Sequence, residues 1–277
     1  FRHDSVQLHA GCRADQASCL RSFGQSPRRP PPRPLPFPSS HKCKYGSDHL
    51  VASRPPDPAP VAYNLAHIEW RDDVTALLAT QLAVELAETH NHRLHVLHLT
   101  SGLEADWLVG RTTLPSEAKG GAIITTETLP QHLTFTETDV EREGVRLKMN
   151  PPIRYQDDLD ILWRRIHDGT VQCIATDHAP HTLEAKAKGF PAAPSGMPGV
   201  ETSLPVMLTH ASQGRCTIED VVRWMSTNVA DCYNMDGKGE LRTGFDGDLV
   251  LVDMENGATV EDEHSWTRVG WNPFRGR

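Results

Sequence analysis

Cys173-Ile174-Ala175-Thr176-Asp177-His178-Ala179-Pro180-His181 is the stretch whose reading decides the fold. Cys173 to Thr176 is a short apolar run of the kind that fills a fully buried parallel strand. It stops at Asp177, His178 and Pro180, and a proline cannot continue a ladder. The last side chains of this strand therefore stand at the C-terminal edge of a sheet, where α/β proteins place ligands and chemistry. A carboxylate at that edge can bind a metal, move a proton, or do both. The plainer alternative is an Asp that caps the next turn, with histidines that merely flank it.

Upstream, the pattern is regular from Arg71. Val74, Leu77, Leu78, Leu82, Leu86 and Ala87 recur at helical spacing in an Ala/Leu/Glu-rich stretch, which predicts a helix over residues 72–89. Strands are predicted over 94–99, 123–128, 145–149 and 171–176, with helices from Glu104 and over 159–166. The four strand ends carry His98, His132, Asn150 and Asp177 in order. Alternating strands and helices predict a parallel sheet with right-handed crossovers. Two imidazoles and a carboxylate on neighbouring strand ends make a plausible metal site, and imidazole suits zinc. His90, His92, His95 and His167 read as helix ends and flanks, and His178 as pointing away from Asp177. Downstream, Thr217 is the expected N-cap of a helix to Met225, and Leu249 to Asp253 reads as a terminal apolar strand.

Composition bounds the rest. The net charge of −8 hides a break: residues 1–60 carry nine Lys/Arg against four Asp/Glu, and residues 61–277 carry nineteen against thirty-two. An acidic body argues against nucleic-acid binding. No apolar run is long enough to span a bilayer, and the first residues lack a secretory pattern. The six cysteines show no paired spacing, which fits a reducing cytoplasm. Eleven of the twenty-one prolines fall in residues 1–60, a Pro/Arg-rich tail expected to be disordered or foreign to the functional design. Its Cys12, Cys19 and Cys43 match no zinc-finger spacing.

Five motifs carry a resemblance. Thr176-Asp177-His178-Ala179-Pro180-His181 resembles the signature of dihydroorotases of the amidohydrolase superfamily, in their cyanobacterial type. His95-Val96-Leu97-His98 resembles the family's fifth barrel strand, and Leu129-Pro130-Gln131-His132-Leu133 its sixth. Met149-Asn150-Pro151-Pro152-Ile153-Arg154 resembles the substrate-binding segment. Pro194-Ser195-Gly196-Met197-Pro198-Gly199-Val200-Glu201-Thr202 resembles the loop that follows the catalytic Asp. The resemblance covers residues 66–277.

It implies a (β/α)8 TIM-type barrel that interconverts dihydroorotate and N-carbamoyl-L-aspartate in pyrimidine biosynthesis. By resemblance His98 and His132 are ligands of the more exposed of two Zn2+ ions. Asp177 is a ligand of the buried Zn2+ and the catalytic acid/base. Asn150, His181, Ser195 and Gly196 are substrate contacts. The family's His-x-His strand and its metal-bridging residue have no counterpart here. The expectation is therefore a partial barrel of strands five to eight over residues 61–235, with a remnant of a small C-terminal β-domain over 236–277. Such a truncated form would be weakly active or inactive. Two further readings stay open: a non-catalytic dihydroorotase-like subunit that supports aspartate transcarbamoylase, and an allantoinase- or hydantoinase-type hydrolase. Homodimerisation also stays open.

Overall fold

In the computed structural model, residues 6–8 and 62–277 are described. The frame is an all-parallel sheet in the order β1-β2-β3-β4, made of β1 (Val6–Leu8), β2 (Leu94–Val96), β3 (Ile124–Thr128) and β4 (Cys173–Ile174). Leu94 lies opposite Ile124 and Glu127 opposite Cys173. Side chains alternate across a strand. One face therefore carries Leu94, Val96, Ile124 and Ile174, which enter the main apolar core. The other carries His95, Thr125, Glu127 and Cys173. There the His95 ring meets Thr125 Oγ1 at 2.7 Å and Glu127 Oε2 at 3.0 Å. His95 is thus a buried strand residue and not a flank.

Helices α1 (Ala62–Trp70), α2 (Asp73–Thr89), α3 (Gly102–Trp107), α4 (Glu137–Glu143), α5 (Gln156–His167), α6 (Leu183–Lys186), α7 (Val200–Ser212), α8 (Ile218–Val222) and α9 (Asn228–Cys232) connect and cover the strands. Helix α2 starts where its sequence says it should, with the Asp72 carboxylate accepting the Thr75 N–H. Its buried face is made of small residues, Ala76, Thr80, Ala83 and Ala87, with Val84. The large residues Val74, Leu78, Leu82 and Leu86 are each about half exposed. The apolar spacing predicts the helix, and close packing selects the small-residue face. Helices α3 and α5 approach so closely that a Cβ on Gly102 would lie 2.5 Å from Ile161 Cδ1. The Thr217 cap of α8 forms as predicted, with Thr217 Oγ1 accepting the Asp220 N–H at 3.1 Å.

Three expectations are corrected. Residues 145–149 form no strand, because β3 pairs directly with β4 and leaves no place between them. Gly144–Leu147 is a 3-10 turn, and Leu147 and Met149 sink into a second apolar cluster with Phe135, Trp271 and Phe274. Val200, Glu201 and Thr202, read as the end of the loop after Asp177, already belong to a helix, Val200–Ser212. Leu249 to Asp253 is not a strand, since no described strand runs beside it to take up its backbone hydrogen bonds. Leu249, Val250 and Leu251 are largely exposed. No described helix is long and apolar enough to cross a membrane. Apart from Val6–Leu8, the predicted tail lies outside the described residues.

Candidate active site at the strand ends

His98, His132 and Asp177 sit just past the C-terminal ends of β2, β3 and β4. His98 has φ 39° and Asp177 has φ 41°. Left-handed backbone at a residue other than glycine costs on the order of 1 kcal/mol and persists only where the surroundings over-determine it. Those surroundings are present. Leu99 donates its N–H to Glu127 O at 2.7 Å, and Thr128 Oγ1 donates to Leu99 O at 2.8 Å, which clamps the turn at His98. Gln131 Nε2 donates to Thr176 O at 3.1 Å beside Asp177. A Cβ on Gly199 would lie 2.7 Å from that same carbonyl oxygen, so the α7 entry must be glycine to close on this strand end.

His132 is buried, and its Nε2 lies 3.3 Å from Pro151 O. A carbonyl oxygen can only accept, so Nε2 carries the proton and Nδ1 presents a lone pair. Nδ1 has no hydrogen-bond partner among the described residues. Burial first, and the neighbouring His98 second, push the pKa of His132 down to about 3. The ring is therefore neutral at physiological pH, the form that ligates a metal. Its carbonyl partner fixes the ring orientation, as such partners do at metal sites.

His98 and His132 are thus brought together. Asp177 does not close a ligand set with them: among the described residues, no three His, Cys, Asp or Glu side chains converge as a metal site requires. Two imidazoles fit part of a zinc shell, which needs about four donors.

Among the predicted substrate contacts, His181 and Ser195 are hydrogen-bonded to each other, and Gly196 is tied to the segment that leads into Asn150. His181 Nε2 donates to Ser195 O at 3.1 Å. Gly196 has φ 129°, and its N–H donates to Lys148 O at 3.0 Å. A Cβ there would lie 2.7 Å from Ala179 Cβ. Asn150 follows the Lys148-Met149 turn, where His67 Nε2 donates to Met149 O at 3.0 Å. Burial, the largest influence, lowers the His67 pKa to about 4.

His178 serves structure. Its Nδ1 accepts the N–H groups of Gly199 and Val200 at 3.1 and 3.2 Å and so caps α7.

Several supporting residues have roles that the sequence reading did not assign. Glu104 is buried, accepts from Thr80 Oγ1, and has its pKa raised by burial to about 7. Arg154 is buried nearby and donates from Nε to Thr100 Oγ1 at 2.7 Å and from NH1 to Arg71 O at 3.0 Å. Trp271 Nε1 donates to His181 O at 2.7 Å from the far end of the chain. Two larger clefts lie elsewhere. One of about 800 Å³ runs along α5 and is lined by Asp157, Arg164 and His167. One of about 560 Å³ lies between α7 and residues 250–261.

Known proteins resemble this chain over most of its length. The model of the amidohydrolase family matches residues 83–268. A dihydroorotase of Methanosphaera stadtmanae is 31% identical over 235 residues, which cover 83% of this chain and 51% of that protein. A dihydroorotase of Halobacterium salinarum is 35% identical over 207 residues, 75% of this chain and 46% of that protein. The chain spans about half the length of the curated relatives it matches. Among solved structures, an L-hydantoinase (dihydropyrimidinase) from Arthrobacter aurescens superposes with a TM-score of 0.70 at 28% identity, covering 77% of this chain and 48% of that one. A dihydropyrimidinase from Brevibacillus agri NCHU1002 gives 0.69 at 26% identity, covering 79% and 47%.

Proposed function

The chain belongs to the amidohydrolase family, and from that premise we propose that it is a hydrolase of cyclic amide C–N bonds of the dihydroorotase type. Its substrates are L-dihydroorotate and N-carbamoyl-L-aspartate, and it works in cytoplasmic pyrimidine synthesis. The carrying observation is the pair of left-handed residues, His98 and Asp177, at the ends of β2 and β4, with the neutral ring of His132 past the end of β3 between them. The parallel sheet is read as an arc of a (β/α)8 barrel.

His98 and His132 would hold a divalent metal, and zinc is the choice for paired imidazoles. When bound, such a metal acidifies its water and polarises the amide carbonyl. Asp177 takes the proton from the attacking water as oxygen adds to the carbonyl carbon, and delivers it to the ring nitrogen as the C–N bond breaks. Asn150 offers both a donor and an acceptor to the ring edge. His181, held by Ser195 O, leans toward the ring carboxylate. With only two candidate ligands converging among the described residues, turnover by this chain is weak.

A second reading is favoured by one observation: the described residues close no three-ligand set. On it the chain is a non-catalytic dihydroorotase-like subunit that supports aspartate transcarbamoylase. Ring opening of L-dihydroorotate by zinc-supplemented protein decides between the two. The hydrolase reading expects slow turnover that Asp177→Asn reduces to the rate of zinc in buffer. No turnover, or turnover unchanged by Asp177→Asn, refutes it.

A further inference from the structure

Lys186 is the last residue of the short helix α6, and its side chain is 1% exposed. A buried ammonium is costly unless its donors find acceptors. Here the acceptors are two backbone carbonyls from separate parts of the chain. Nζ donates to Lys148 O at 2.8 Å and to Pro194 O at 3.1 Å. The ammonium also sits 5.8 Å from the centre of the Trp271 ring, within reach of a cation–π attraction.

The placement of these acceptors is informative. Lys148 immediately precedes Met149 and Asn150, and Pro194 immediately precedes Ser195 and Gly196. The Gly196 N–H donates to the same Lys148 O, so one carbonyl joins the two segments and Lys186 holds that junction from behind. Trp271, which covers the ammonium, donates its indole N–H to His181 O. One buried amine thus stands at the meeting point of three stretches: the Asn150 turn, the Ser195–Gly196 loop and His181. Lys148 reinforces the same loop, its Nζ donating to Pro191 O at 2.8 Å and to Ala193 O. A helix end so short could be capped by backbone or water alone. An amine threaded between two distant carbonyls has a wider reach than that.

We propose that Lys186 is a positioning residue that locks the Asn150 segment and the Ser195–Gly196 loop into one rigid wall against which the cyclic amide ring binds. The role of the wall rests on the dihydroorotase reading above; the lock itself rests on the hydrogen bonds. Without Nζ, Pro194 O loses its donor and the two segments are joined only by the Gly196 N–H and the Lys148 side chain. They then open independently of the sheet.

Hydrogen exchange followed by mass spectrometry tests this on the intact chain, with Lys186→Met and, should that variant not fold, Lys186→Gln. The expected result is exchange at least tenfold faster in peptides covering both 149–154 and 193–199, with 124–129 unchanged. L-dihydroorotate should protect both segments in the parent protein and lose that effect in the variant. Faster exchange confined to 183–190 would mean that Lys186 only finishes α6, and it overturns the proposal. So does unchanged exchange throughout. Loosening of both segments sustains the lock whatever the substrate. Failure of L-dihydroorotate to protect either segment in the parent overturns the substrate reading alone.

Discussion

Glu104→Gln isolates the most informative buried charge behind the strand ends. Glu104 is 1% exposed, and burial lifts its pKa from 4.5 to about 7, against the opposing pull of Thr80 and Arg154. A carboxyl whose folded pKa is raised contributes stability that is fully present below the unfolded value. That stability is lost as pH rises from about 4.5 through about 7. Each pH unit between those two values is worth about 1.4 kcal/mol, so the full loss is on the order of 3 kcal/mol. At pH 5 the unfolded chain is already mostly ionised at this residue, so about 2.5 kcal/mol of the loss falls between pH 5 and pH 8. Glutamine carries no charge at either pH, and its own fit in the pocket cancels when the two pH values are compared. Urea unfolding of parent and variant at pH 5 and pH 8 measures this directly. Relative to the parent, Glu104→Gln should gain about 2.5 kcal/mol between the two. A difference below about 0.5 kcal/mol would show that Glu104 ionises normally, its carboxylate balanced by Arg154, and the burial argument would fail.

Two more outcomes follow from the same reasoning. His67, His132 and His210 are all buried with pKa values lowered to about 4, 3 and 4, in each case chiefly by burial. Depressed histidines give stability that is present above about pH 6.5 and lost as pH falls toward their folded values, at about 1.4 kcal/mol per pH unit for each. Acid unfolding should therefore be steep between about pH 6 and pH 4, and His210→Gln should flatten it; an unchanged slope refutes the assignment. His181→Ala should weaken use of L-dihydroorotate at least tenfold, about 1.4 kcal/mol, and should affect dihydrouracil, which lacks the ring carboxylate, much less. Equal losses in steady-state kinetics would assign His181 to the fold.

Much of this layout was readable from the chain. The period of the α2 stretch, the Thr217 cap and the apolar runs that became β2, β3 and β4 are local signals, and each formed within a few residues of its expected place. What misled were segments whose state depends on distant partners. Residues 145–149 alternate apolar and basic side chains as a strand does, yet β3 and β4 already pair with each other, and Met149 is claimed by Trp271 and Phe274 from the other end of the chain. Leu249 to Asp253 has a strand's composition but no described neighbour to pair with. In the candidate site, the metal-ligand types at strand ends were visible as sequence. The clamps that hold them were not, because Gln131, Lys186 and Trp271 act through backbone carbonyls far away in the chain.

Zinc binding tests the central claim, that His98 and His132 form one metal-binding pair. Competition against a chromophoric chelator at pH 7 should give at most one zinc per chain at the strand ends. His98→Ala and His132→Ala should each weaken it at least tenfold, and the double variant should lose little beyond either single one, since the ion needs both rings at once. Zinc affinity unchanged by either substitution would contradict the account.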